Sequence, residues 1–136
     1  MSDIPWKSLI LAASRARDNA YAPYSGYQVG AALLTRDGRI FAGCNVENVS
    51  YGLALCAERS AIAQLVAAGG RDITALAVVT AGPEPGAPCG LCRQTLVEFA
   101  DELPIALVVA GEDEPRAIKN LRELFPEPFR ADLAKR

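Results

Sequence analysis

Two short cysteine segments, Cys56-Ala57-Glu58 and Pro88-Cys89-Gly90-Leu91-Cys92, lie far apart in a chain of 136 residues that contains no histidine. Three thiols can close around one metal ion, so a fold that uses them together must bring both segments to one point. Without histidine, a metal site has only Cys, Asp, Glu or backbone oxygen to draw on. Serine or cysteine hydrolysis with an imidazole base is excluded. What remains is a Cys₃ zinc site with an open fourth position and a carboxylate, Glu58, two residues from the first thiol. That is a catalytic arrangement rather than a closed structural one.

The periodicity on either side of these segments describes a layered fold. Ser8 to Ala20 carries Leu9, Ala12, Ala13 and Ala16 at helical spacing and ends in the turn residues Tyr21-Ala22-Pro23-Tyr24-Ser25-Gly26. Gln28 to Thr35 and Ile40 to Cys44 read as two strands of a hairpin closed by Arg36-Asp37-Gly38-Arg39. Cys56 to Ala68 reads as a helix apolar on nearly every face, hence buried in the core or between subunits, and Gly69-Gly70 stops it. Ile73 to Val79 and Ile105 to Val109 are continuous apolar runs rich in β-branched residues, as in parallel strands covered on both faces. Between them come a Pro/Gly loop, Gly82 to Pro88, and a helix, Gly90 to Ala100. A last strand is expected at Pro115 to Lys119, with a helical turn at Leu121 to Phe125. The order is that of an α/β protein with a hairpin at one edge of its sheet, and the length fits a single domain, 1–136.

Composition narrows the partners. Fourteen basic against sixteen acidic residues leave a net charge of −2, too little positive charge for a nucleic-acid or anionic-membrane surface. No apolar run approaches the roughly 20 residues of a membrane span. Met1 to Leu11 has no basic segment followed by a long apolar one, so no export signal is expected and the cytoplasm is the expected compartment. Four cysteines there read as metal ligands or buried thiols, not disulfides.

Both cysteine segments fall where a loop enters a helix, and a helix N-terminus stabilises thiolates. Cys89 and Cys92 are three apart and share a face of the first turn. Alone they would equally suit a redox pair or half of a structural zinc ribbon; the Cys-Ala-Glu element on a second helix start favours catalysis. Cys44 is the one spare thiol and reads as buried or half-buried. Three thiolates on Zn²⁺ leave a formal charge of −1, which calls for a nearby cation. Arg59 is the candidate, against the alternative of a solvated surface arginine, and Arg93 is a second.

With these residues in view, the chain resembles the small homotetrameric cytidine deaminases along nearly its whole length. The matching segments are Tyr21-Ala22-Pro23-Tyr24-Ser25, Val29-Gly30-Ala31-Ala32-Leu33, Gly43-Cys44-Asn45-Val46-Glu47-Asn48, Cys56-Ala57-Glu58-Arg59 and Pro88-Cys89-Gly90-Leu91-Cys92-Arg93-Gln94. The zinc deaminases pair a first ligand and a Glu two residues on with P-C-x-x-C. The resemblance implies a three-layer α-β-α sandwich with a mixed five-stranded sheet. It implies one Zn²⁺ on Cys56, Cys89 and Cys92, activating a water that attacks C4 of cytosine. Glu58 would take the water proton, protonate N3 and pass a proton to the leaving amine. Cytidine and 2′-deoxycytidine would give uridine, 2′-deoxyuridine and ammonia, a step of pyrimidine salvage. It places Asn45 and Glu47 on the ribose hydroxyls, for which the alternative is a turn pair after the hairpin. The backbone at Ala57 would meet the base carbonyl. Tyr27 lines the base pocket, where many relatives have Phe. Phe129 either reaches a neighbouring subunit's site or anchors a local core. A deaminase of a modified cytosine nucleoside such as blasticidin S, or a non-catalytic zinc module, are the alternatives.

Overall fold

The computed structural model describes residues 3–131. Its elements follow the order α1 (Trp6–Asp18), β1 (Gly30–Thr35), β2 (Ile40–Cys44), α2 (Ala57–Ala67), β3 (Ile73–Thr80), α3 (Gly90–Val97), β4 (Pro104–Val109), β5 (Ala117–Asn120) and α4 (Leu121–Leu124). A single 3₁₀ turn, Tyr51–Leu53, interrupts the connection from β2 to α2. The strands form one mixed sheet in the order β2-β1-β3-β4-β5.

The β1–β2 hairpin turns at Gly38, whose φ of +89° is open to glycine and strained for most other residues. Leu33 faces Phe41 across the hairpin and Leu76 of β3 on the other side. The β3–α3–β4 unit supplies the parallel pair, with Leu76 opposite Ile105 and Val78 opposite Leu107. At the far edge β5 is antiparallel to β4. It runs directly into α4, which opens with a capping box: Asn120 accepts from the Arg122 N–H, and Glu123 accepts from the Asn120 N–H.

The two faces of the sheet are sorted by size. Leu33, Leu76, Val78, Ile105 and Leu107 meet Ala61, Ile62 and Leu65 of α2 and Leu96 of α3 in one buried layer. Ala32, Ala75, Ala77, Val79, Ala106 and Val108 meet Leu9, Ile10 and Ala13 of α1 in the other. Alternation along a strand sends neighbours to opposite faces. A run that reads as continuously apolar therefore encodes a bulky face for two helices and a shallow face for one. Each fully buried Leu or Ile contributes roughly 1.5–3 kcal/mol relative to exposure. The result is a three-layer sandwich, helix over sheet over helices.

Several boundaries shift from the sequence expectation: α1 ends at Asp18 rather than Ala20, and β5 runs Ala117–Asn120 rather than Pro115 to Lys119. Helix α1 starts at Trp6, two residues early, and Leu9 at its first buried position is fully enclosed. Strand β1 starts at Gly30 because the preceding Val29 N–H is taken by the Asn45 side chain instead of a ladder partner. Helix α3 ends at Val97. Helix α2 is buried on one side only. Ala57, Ala61, Ile62 and Leu65 are covered, whereas Ala63, Gln64 and Ala67 are exposed. Alanine fits either environment, so its position in the sequence does not reveal the buried face.

The strand directions explain why the two cysteine segments meet. Both β2 and β3 are antiparallel to β1, so they run the same way. Each is followed by a loop and a helix. The N-termini of α2 and α3 therefore both lie at the carboxyl end of the sheet, where open α/β sheets bind ligands. Helix α2 packs closely on β2: a β-carbon at Gly43 would fall 2.5 Å from the Ala61 nitrogen and 2.8 Å from the Ala57 carbonyl. That contact sets the height of the Cys56 end.

Candidate active site

Cys56 and Cys89 are the residues immediately before α2 and α3, both in extended conformation, and Cys92 sits in the first turn of α3. The first helical bonds are Ser60 N–H to Cys56 C=O and Arg93 N–H to Cys89 C=O. The preceding N–H groups of both helices have no helical partner, and the thiols lie at the positive end of each dipole. Sγ of Cys89 is 3.7 Å from that of Cys56 and 3.5 Å from that of Cys92, and all three lie within 4.8 Å of one another. Tetrahedral zinc with bonds of about 2.3 Å needs sulfurs about 3.8 Å apart. Three free thiols at this spacing fit that ion, and three ligands leave one position for a water. Cys44 is also free and half-buried, outside the trio.

The electrostatics are those of an anion held in place. The Cys56 thiol is drawn down to about 5, first by the Cys92 thiol donating to its sulfur, then by the Arg59 guanidinium and Cys89. Cys92 is buried, and its thiol is pushed up, first by its hydrogen bond to Cys56 and then by burial. Arg59 points its Nη2 at the Ala54 carbonyl, 3.0 Å away, and at Cys56 Sγ, 3.8 Å away. Its buried Nε has no acceptor among the described residues. Arg93 lies elsewhere: Nε donates to the Pro88 carbonyl at 2.8 Å and Nη1 to the Leu124 carbonyl at 2.9 Å, tying the ligand loop to α4.

Glu58 is only 5% exposed. Burial raises its carboxyl above the ordinary value, and the Cys56 charge pushes the same way. It borders a cavity of about 280 Å³ together with Cys56, Ala57, Cys89, Asn45, Glu47 and Tyr27. That volume is near the lower end of small-molecule sites, roughly 300 Å³. The rest of the wall includes Val78, Thr80 and Gly86, which the sequence does not single out as site residues. Thr80 is the nearest to legible: a polar residue closing an apolar run at the carboxyl end of β3, buried and accepting from the Gly86 N–H at 2.7 Å.

The residues opposite the thiols are held by their own backbone contacts. Val46 is bridged to Tyr21 and Leu55, so the segment 45–47 is extended. Asn45 Oδ1 accepts from the Val29 N–H and its Nδ2 donates to the Tyr27 carbonyl, each at 2.8 Å. Glu47 accepts the N–H groups of Tyr24 and Ser25 at 2.9 and 3.1 Å and the Ser25 hydroxyl. These bonds, the hydroxyl first, lower its carboxyl below the ordinary value. Tyr27 is 44% exposed and lines the cavity. The Phe129 side chain is 80% exposed and is not among the residues bordering the cavity, so in the isolated chain it is no core anchor. Its carbonyl accepts from Gln94.

The fold and site define an α/β protein whose three metal-competent thiols lie at two helix N-termini beside a cavity. The sequence model of the cytidine and deoxycytidylate deaminase zinc-binding region matches residues 6–108. The chain is 44% identical to a cytidine deaminase of Mycobacterium tuberculosis over 97% of its own length and 95% of that protein. It is 52% identical to a cytidine deaminase of Halalkalibacterium halodurans over 91% and 93% of the two chains. The crystal structure of cytidine deaminase from Burkholderia pseudomallei superposes with a TM-score of 0.83 at 47% identity, covering 90% of this chain and 97% of that one. The chain belongs to the zinc-dependent cytidine deaminase family.

Proposed function

We propose that the chain hydrolyses the C4 amine of cytidine and 2′-deoxycytidine, releasing uridine or 2′-deoxyuridine and ammonia. The observation that carries this is a cluster of three metal-competent thiols, two of which border one cavity together with a buried carboxylate. Cys56, Cys89 and Cys92 would hold zinc, which when bound acidifies a water and makes it a nucleophile at neutral pH.

Glu58 moves the protons. Its carboxyl is biased toward the protonated form by burial. It can accept a proton from water, deliver it to N3 of the base, and later hand one to the departing amine, so that water and cytidine become uridine and ammonia. The unpaired N–H groups at the start of α2, including that of Ala57, suit the base carbonyl. Arg59 offsets the charge of the thiolates. Asn45 and Glu47 border the cavity with acceptor lone pairs to spare for ribose hydroxyls, since each carboxylate or amide oxygen accepts twice. Tyr27 forms an aromatic wall.

The proposal extends to assembly and setting. The chain acts as one domain in a homotetramer, with Phe129 entering a neighbour's site, and works in cytoplasmic pyrimidine salvage. An 80% exposed phenyl ring supports a role beyond the single chain. Among the described residues no helix is long and apolar enough to cross a membrane. The test is ammonia release from cytidine with zinc measured on the same sample. Turnover at about one zinc per chain is expected; full zinc without turnover on either nucleoside would refute the assignment.

A further inference from the structure

We infer that Gly86 and Tyr27 are a size-matched pair that sets the width of the nucleoside cavity, and that Gly86 acts as a specificity-determining position through the tyrosine ring. The inference rests on the proposed nucleoside site. Gly86 has no unusual backbone angle that would demand glycine. What it lacks is room: a β-carbon there would stand 2.9 Å from the Tyr27 hydroxyl oxygen, and next nearest is Thr80 Cγ2 at 3.4 Å. Contact below 3.0 Å forces a shift, so one partner must move.

The geometry says which one. The Gly86 N–H is fastened to Thr80 Oγ1 at 2.7 Å, and Thr80 is buried at the end of β3. The loop therefore cannot retreat without breaking its hydrogen bond to the buried Thr80. Tyr27 is half-exposed, and among the described residues its hydroxyl has no hydrogen-bond partner. Its backbone is pinned instead, through the N–H to Ser25 Oγ and the carbonyl to Asn45. The ring is thus the free element, pivoting about a fixed main chain. Tyr27, Thr80 and Gly86 all border the cavity, so any movement of the ring alters the space left for ligand. A bulkier residue at 86 is compatible with a ring that lacks the hydroxyl, and glycine with one that has it.

The experiment is a double-substitution cycle with Gly86→Ala and Tyr27→Phe in the zinc-loaded protein. It reads the Kd of uridine by calorimetry, KM and kcat for cytidine, and the thermal midpoint. Gly86→Ala is expected to raise Kd and KM at least about fivefold, with kcat and zinc content held within about twofold. Adding Tyr27→Phe to that variant should bring Kd back to within about twofold of Tyr27→Phe alone. Additive effects on Kd would overturn the pairing, as would a fall in kcat at unchanged Kd. A wild-type protein that neither binds uridine nor turns over cytidine would refute the nucleoside site itself. The pairing is then decided by the thermal midpoints, where coupling sustains the contact and additivity removes it.

Discussion

Helix α2 joins two clefts that look alike in outline and differ in chemistry. At its N-terminus is the thiol cavity. At its C-terminus is a larger cleft, about 480 Å³, lined by Thr35, Arg36, Asp37, Arg39, Gly69, Gly70, Arg71 and Asp72. In the larger cleft the charges find partners within the chain. Asp37 is held low by the Thr35 hydroxyl and then by Arg39. Arg36 lies 4.0 Å from Asp72. Arg39 and Arg71 donate to the Ala68, Val66 and Gly70 carbonyls at the end of α2, where cations belong on the dipole. Around the smaller cavity three free thiols crowd together, the nearby Arg59 Nε has no acceptor among the described residues, and Glu58 is buried with its carboxyl raised. Incomplete satisfaction marks the working end of this molecule, and cleft volume does not.

Removing a ligand breaks that comparison most severely. Cys89→Ala is expected to abolish stoichiometric zinc and turnover and to lower the thermal midpoint by roughly 10 °C or more, because metal binding adds to folding. Metal analysis and calorimetry on the purified variant check this; a Cys89→Ala protein that keeps one zinc per chain would remove Cys89 from the ligand set. Glu58→Ala separates chemistry from structure. Zinc and the thermal midpoint should persist while kcat falls about 10²- to 10⁴-fold. Rates like those of the wild type would end the assignment of Glu58.

The thiol end was legible in the sequence because its logic is local. Cys-x-Glu and Pro-Cys-x-x-Cys each open a helix, and helix starts declare themselves by the loops before them. The strands were legible for the same reason, as β-branched runs between turn residues. What the sequence hides is the use of each side chain once the chain has folded. Asn45 and Glu47 read as a polar pair on an extended segment, and nothing nearby announces that their first partners are Val29, Tyr27, Tyr24 and Ser25. Thr80 and Gly86 join the cavity only because the β3–α3 loop folds back over the strand end. The buried side of α2 depends on which alanines meet β2, a matter of packing at Gly43.

Glu47 offers a subtler contrast, since it borders the cavity yet, like Asp37, is held by donors within the chain. Its carboxyl lies below the ordinary value of 4.5, chiefly through the Ser25 hydroxyl. A depressed carboxyl stabilises the fold fully above its unfolded value and loses that contribution as pH falls through the folded one. The gap in thermal midpoint between wild type and Glu47→Gln should therefore be constant above about pH 5 and close below pH 4. A gap that widened toward acid would contradict the hydrogen-bonded arrangement of Tyr24, Ser25 and Glu47.

The smallest effect belongs to the far end, and its smallness is the point. Arg71 Nη1 donates to the Gly70 carbonyl at 2.6 Å and to that of Val66 at 3.2 Å, at an exposed position. Charge at a helix C-terminus is worth about 0.3–1 kcal/mol when exposed and is screened by salt. Arg71→Ala should lower the thermal midpoint by about 1–4 °C, less in high salt, and leave KM and kcat for cytidine unchanged. Were the two clefts functionally equivalent, emptying the larger one of a guanidinium would alter turnover. A several-fold change in kcat or KM would mean that α2 transmits the state of its C-terminus to the thiols at its start, and the separation between the two ends would no longer hold.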